Sequence, residues 1–177
     1  MSRRRNFKQL DLLSESVPII HADDDGTAVI VRATRAITLW QPWAHAIAHG
    51  AKRLENRKRK PPAGLIGSYI AIHAGKTLRL WDVAWINEQF GYEFRETEIP
   101  LMAVVATARL DGYVTASSDP WFFGPFGWQL SEVIALPKPV PCRGALGLWK
   151  MPREVAIAVA RQEPQDGFPF QATGVPA

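Results

Sequence analysis

One cysteine, Cys142, stands among 177 residues. An internal disulfide is therefore excluded, and a reducing compartment is expected. Long apolar runs are missing too: no stretch approaches the roughly 18 residues of a membrane-crossing helix, so no membrane partner is expected. The basic start Met1-Ser2-Arg3-Arg4-Arg5 leads into Phe7 to Leu13, which Lys8, Gln9 and Asp11 interrupt. Without an apolar h-region, no signal peptide is expected. These absences point to a soluble, cytoplasmic protein. The chain also lacks G-x-x-x-x-G-K-[ST], G-x-G-x-x-G and G-x-S-x-G, so P-loop, dinucleotide and α/β-hydrolase chemistry have no support. There is no internal repeat.

Hydrophobic residues make up 47% and charged residues 21%, ordinary for a globular chain with a real core. The net charge of +4 and pI near 9.5 lean mildly toward anionic partners. The length suits one domain with extensions, expected as a monomer. Residues 1–35 read as an N-terminal extension, 36–152 as the core domain, and 153–177 as a C-terminal helix and tail. Within the extension, Gly26 marks a turn and Val29 to Val31 suit an edge strand.

Ile37 to Trp40 reads as a buried strand. Pro42 then fits the first helical position, where its missing N–H costs nothing, and Gly50 fits the position just past the helix end. Lys52 to Lys58 is the next strand, closed by Pro61-Pro62. Ser68 to Ala74 alternates, with Tyr69, Ala71 and His73 on a polar face. Gly75 is a turn and Thr77 caps a helix through Phe90, on which Leu78, Trp81 and Trp85 form a stripe. Met102 to Leu110 is a strand, Asp111-Gly112 a hairpin signal, Trp128 to Leu136 a strand, Pro137 to Pro141 a stiff connector, and Ala145 to Lys150 the last core strand. A helix is expected over Arg153 to Arg161. Five to six short strands with two or more flanking helices give an α+β class, and closure into a small barrel would remove exposed edges.

Gly50-x-Lys52-x-x-Glu55-x-Arg57 is the most informative pattern. In a strand, Glu55 and Arg57 share a face. Lys52 joins them only where the chain is still turning, and Gly50 permits such a turn. Glu55 then holds Lys52 or Arg57 by charge-assisted hydrogen bonds, leaving a cationic donor for a phosphate or a base carbonyl. In a dry pocket, Lys52 could serve as a base or nucleophile. The competing explanation is a solvated strand with surface ion pairs, worth ~0–1 kcal/mol each.

Ile37-Thr38-Leu39-Trp40-Gln41-Pro42-Trp43-Ala44, then the Gly50–Arg57 motif, then Ile70-Ala71-Ile72-His73-Ala74-Gly75 together resemble the ASCH domain family. The resemblance covers about residues 36 to 150. Gly124-Pro125-Phe126-Gly127-Trp128 and Arg143-Gly144-Ala145-Leu146-Gly147-Leu148-Trp149 strengthen it, and the spacing is similar to the larger bacterial and phage-borne members. The resemblance implies a small PUA-like β-barrel whose cleft binds RNA, a nucleotide or a modified base. Some small members are amidohydrolases acting on acylated cytidine, in which the motif lysine works with a threonine; Glu55 stands at that position here. Other members are ribonucleases.

On these grounds the candidate ligand-binding residues are Trp40, Gln41, Trp43, Lys52, Glu55, Arg57, His73, Phe126 and Trp128. Lys58, Arg59 and Lys60 form a candidate phosphate rim. In the aromatic run from Trp121 to Trp128 most rings read as core, with Phe126 or Trp128 the ones to stack on a base. His45 and His49 have the i, i+4 spacing of zinc ligands but nothing completes a set, so no metal and no cofactor are expected. Cys142 reads as a packed residue. Three functions stay open: a module binding RNA or a nucleoside or nucleotide; an amidohydrolase or ribonuclease with Lys52 and Glu55 catalytic; and a scaffold whose pocket binds nothing specific.

Overall fold

The computed structural model describes residues 19–22 and 25–164. The Arg3–Arg5 cluster and the tail from 165 onward lie outside the described residues. A hairpin of β1 (Ile19–Ala22) and β2 (Ala28–Val31) precedes the main sheet. Then follow β3 (Arg35–Gln41), α1 (Trp43–His49), β4 (Leu54–Arg57), β5 (Tyr69–Leu78), α2 (Leu80–Phe90), β6 (Ala103–Val114), β7 (Phe126–Pro141), β8 (Leu148–Lys150) and α3 (Arg153–Ala160). The main sheet has the order β4-β7-β6-β5-β3-β8. Its neighbours are antiparallel except β3 with β5, whose parallel pairing sets Thr38 opposite His73.

The α+β class, the six strands and the flanking helices match the sequence expectation, but the closed barrel does not. β4 and β8 are the two edges, and no ladder joins them among the described residues. Closure needs tilted strands long enough to meet around the circle, and these edges have four and three residues.

Alternation along the central strands sends side chains into two cores. Ala36, Ala71, Val104 and Val140 face a layer made by Val29 and Val31 of the hairpin and Val155, Ile157 and Val159 of α3. Ile37, Ile70, Ile72 and Val105 face the other way, against Ala44 and Ile47 of α1. With both faces covered, β5 carries a nearly unbroken apolar run. The polar face expected for it is absent: Ala71 and His73 are fully buried.

Several local expectations shift. Pro42 caps α1 from just outside it. Gly50 is extended, not left-handed; it is glycine because a Cβ there would lie 2.8 Å from the Ala46 carbonyl oxygen and 3.2 Å from the Tyr92 ring. Gly75 and Thr77 lie within β5, so α2 starts at Leu80; it ends at Phe90 as expected, and Gly91 closes it in the left-handed conformation. The expected stripe does not hold as a face: Trp81 is exposed, Trp85 packs partly on Trp43, Phe90 and Phe123, and the residues α2 buries are Val83 and Ile86. Asp111-Gly112 makes no hairpin, because β6 continues through it with a register shift between Leu110 and Gly112. The Pro137–Pro141 segment is extended as expected, but it pairs with β6 as part of β7. No helix among the described residues is long and apolar enough to cross a membrane.

Candidate functional site

The site is assembled where α1 hands over to β4. The chain does not enter the strand at once after Gly50: the N–H groups of Gly50 and Lys52 both donate to the Ala46 carbonyl, at 3.1 and 3.3 Å. Arg53 holds this turn closed. Its Nη1 donates to the carbonyls of Ile47, Gly50 and Lys52 at 3.2, 3.0 and 2.9 Å, occupying acceptors that a helix end leaves open. Strand pairing starts only at Leu54, opposite Gln129.

That delayed entry brings Lys52 round to Glu55. The ammonium donates to Glu55 Oε2 at 2.9 Å and to the Leu54 carbonyl. Lys52 is 1% exposed and Glu55 7%. From the strand's alternate position, Arg57 Nη1 stands 3.8 Å from Glu55 Oε1. The guanidinium also lies over the Trp128 ring, 5.8 Å from its centroid. Ammonium, carboxylate and guanidinium thus meet on one wall of a cleft of about 440 Å³.

Trp40, Trp43, Lys52, Glu55 and Arg57 line that cleft, together with Thr38, Asn56, Phe123 and the 145–147 segment. Trp43 is fixed by its Nε1–H, which donates to Asp82 Oδ2 of α2 at 2.9 Å. Asn56 uses its amide to hold the neighbouring loop: its Nδ2 donates to the Trp121 carbonyl and its Oδ1 accepts the Phe123 N–H, both at 2.8 Å. That clamp brings Phe123 to the cleft, 58% exposed.

Four candidate ligand residues lie elsewhere. Gln41 is fully buried, its Nε2 donating to the Pro100 carbonyl and its Oε1 accepting the His45 N–H. Trp128 is 5% exposed, a support beneath Arg57 whose Nε1–H donates to the Arg59 carbonyl at 2.8 Å. Phe126 packs edge-on to Tyr113. Of the Trp121–Trp128 rings it is Phe123 that reaches the cleft, because Asn56 grips the loop at that residue. Lys58, Arg59 and Lys60 are exposed just beyond β4, outside the cleft lining, with Lys60 over the Tyr113 ring.

His73 lies beneath the loop that carries Gly144. Its Nε2–H donates to the Cys142 carbonyl at 3.1 Å, so its Nδ1 accepts from the Thr38 hydroxyl at 3.2 Å. Trp149 Nε1–H donates to the same hydroxyl oxygen at 3.0 Å. Burial lowers the His73 pKa, which fits a neutral ring satisfied on both nitrogens. Gly144 must be glycine, since a Cβ would lie 2.4 Å from the ring. The Cys142 thiol is pushed up by burial, as expected of a packed cysteine. The His45 and His49 rings lie 4.5 Å apart and tilted by 46°, and no group of three His, Cys, Asp or Glu among the described residues could hold a metal ion.

Sequence reasoning missed Thr38, Arg53, Asn56, Phe123 and the 145–147 segment. Phe123 and the 145–147 segment lay in stretches that stood out for other reasons, and Arg53 left a local signal, a cation directly after a helix end.

Solved structures this fold is similar to include those of an ASCH protein. The crystal structure of ASCH from Zymomonas mobilis aligns over 70% of this chain and 90% of its own, at 19% identity and a TM-score of 0.43. Two mutant forms of that protein align at 19% identity, with TM-scores of 0.43 and 0.41, over 70% and 68% of this chain and 92% and 91% of theirs. No protein-family model matches the chain, and no curated protein does.

Proposed function

We propose that this chain is an ASCH-type, PUA-like module that takes a base of RNA, or a free nucleoside or nucleotide, into the Lys52–Glu55–Arg57 cleft. The observation that carries the reading is the Lys52–Glu55 pair. A lysine 1% exposed and tied to the carboxylate at 2.9 Å fixes an acceptor on the cleft wall. An ionised carboxylate accepts and never donates, so it selects a base edge that presents N–H groups, such as the exocyclic amine of cytosine, adenine or guanine. Trp40, Trp43 and Phe123 offer the flat apolar walls a base ring needs, and the volume falls in the range of small-molecule sites. The Arg57 side chain is 29% exposed, which leaves its guanidinium able to meet a phosphate in bidentate fashion. Lys58 to Lys60 extend the positive charge along the strand that phosphates would follow.

The test is a thermal-shift screen with nucleosides, nucleotides and short RNAs, followed by titration of any hit. Binding that weakens with salt, falls at least tenfold in Glu55→Gln and falls again in Arg57→Ala supports the proposal. Affinity unchanged in both variants, or no ligand in the panel raising Tm, removes it.

The burial of Lys52 also favours a second reading, hydrolysis of an amide on a modified nucleoside or of a phosphodiester in RNA, since a desolvated lysine is what such a base or nucleophile requires. An ion-paired ammonium has no lone pair to give, however, so Lys52 would first have to pass a proton to Glu55 or the ligand. Turnover of acylated cytidine or short RNA that is lost in Lys52→Ala carries this reading. Equal product from both proteins ends it.

A further inference from the structure

The cleft has a volume of about 440 Å³, and aromatic rings continue beyond its lining onto α2. Trp85 on α2 bridges the two: its ring centroid lies 6.1 Å from that of Trp43 and 5.8 Å from that of Phe123, both of them cleft walls. Trp81 stands four residues earlier, so it shares the helix face of Trp85, and it is 89% exposed. A helix normally turns such rings inward, but α2 buries Val83 and Ile86 instead. A ring this exposed, beside one that is 36% exposed and packed on the cleft wall, leaves apolar surface open for binding at the rim of the cleft.

The start of α2 adds charge to this surface. Arg79 places its guanidinium 5.3 Å from the centroid of the Trp40 ring. Its Nε meets Asp82 Oδ2 at 3.2 Å, and the same oxygen accepts the Trp43 Nε1–H. Asp82 therefore ties Arg79 to the cleft wall, while the Arg79 side chain stays 48% exposed. Arg57 and Arg79 each lie over a tryptophan, one on the β4 side of the cleft and the other at the start of α2.

We infer that the α2 face of Trp81 and Trp85, with Arg79, is an outer subsite that stacks the nucleotide adjacent to the one in the cleft, within a single-stranded nucleic acid. The inference rests on the cleft reading above. Exposed rings flanked by guanidiniums are the combination that tracks a single strand, rings for the bases and cations for the phosphodiesters. A duplex keeps its bases stacked on each other and cannot offer them to the rings. A protein partner would use the rings without needing the phosphate-binding cations.

The experiment measures dissociation constants for nucleoside monophosphates and for single-stranded oligonucleotides of two, four and eight residues, with a duplex as control. The proteins are wild type, Trp81→Ala, Trp81→Ala/Trp85→Ala and Glu55→Gln. Trp81→Ala is the safe probe because the residue is almost wholly exposed; Tm checks that the double variant folds. The expected result is tighter binding of oligonucleotides than of monophosphates, and about a 5- to 150-fold loss of oligonucleotide affinity per stacking ring removed, with monophosphate affinity unchanged in Trp81→Ala and little duplex binding. Oligonucleotides that bind no tighter than monophosphates overturn the outer subsite while leaving the cleft reading intact, provided Glu55→Gln still weakens monophosphates. Oligonucleotide affinity unaffected by both tryptophan variants overturns it equally. So does self-association in sedimentation, or sedimentation with lipid vesicles, that disappears in Trp81→Ala, because the face then belongs to a second copy or to a membrane. Absence of any nucleic-acid binding removes both readings.

Discussion

Replacing Lys52 by methionine keeps nearly the same volume and removes one charge, so its effect isolates the buried pair. The lysine side chain is 1% exposed and the Glu55 side chain 10%. Losing the ammonium strands Glu55 Oε2 and the Leu54 carbonyl, which both accept from it. Breaking a buried pair from one side costs about 3–5 kcal/mol. Arg57 remains 3.8 Å from Glu55 Oε1, and the carboxylate borders an open cleft, so the low end applies, about 3 kcal/mol. For a chain of this size that is a fall of about 6–12 °C in Tm. Glu55→Met strands the buried ammonium and should likewise cost about 3 kcal/mol, whereas the double variant Lys52→Met/Glu55→Met removes both charges and should fall within about 1 kcal/mol of wild type, which gives a coupling of about 5 kcal/mol in the cycle. Urea denaturation of the four proteins measures it, with unchanged slopes as the check that the unfolded states are comparable. Lys52→Met within about 0.5 kcal/mol of wild type, or a double variant equal to the sum of the singles, would refute the reasoning: the pair would then behave as a solvated one.

Gly144→Ala drives a methyl to within 2.4 Å of the His73 ring and 2.6 Å of Thr38 Oγ1; a loss of about 1–3 kcal/mol is expected from such overpacking, read as a lower urea midpoint, and wild-type stability would contradict the packing described. Trp43→Phe deletes the indole donor to Asp82, whose side chain is 16% exposed, and should cost about 1.5–3 kcal/mol for a lost bond to a charged group, with ligand affinity falling as the cleft wall loosens. Burial, and then the neighbouring His49 charge, pushes His45 from its usual 6.5 down to about 4, and burial lowers His73 as well. The unfolded chain takes up these protons near pH 6.5 while the folded chain resists, so stability is full above that pH and falls as pH drops toward 4. A His45→Gln variant should show a shallower fall in Tm between about pH 6.5 and 4; profiles of the same slope would count against the buried, uncharged His45.

The strands were legible where β-branched and apolar residues run together: Ile37 to Trp40, Ser68 to Ala74, Met102 to Leu110 and Trp128 to Leu136 each fall in a strand, save the first residues Ser68 and Met102. Their ends were not, because pairing overrides local punctuation. Gly75 reads as a turn but pairs on in β5, and Asp111-Gly112 reads as a hairpin but is absorbed by an irregularity in β6. The charged half of the site was legible for a geometric reason. Parity puts Glu55 beside Arg57, and Gly50 allows the turn that returns Lys52. The apolar half was less so: Phe123 and the 145–147 segment arrive from distant sequence through β4–β7 and β3–β8 pairing. His73 and Gln41 look like ligand groups in sequence, yet each spends its polar atoms on internal partners.

The Asn56 clamp has a mechanical consequence. One amide grips the backbone at both Trp121 and Phe123, so the jaw that carries Phe123 is locked in register with the strand that carries Glu55. The opposite jaw is Ala145 to Gly147, where the Leu146 side chain is 99% exposed and anchors almost nothing. Entry and exit of anything the cleft holds should therefore proceed by displacement of that one lip, and residence time should respond to substitutions there while leaving the fixed jaw, and its choice of guest, untouched.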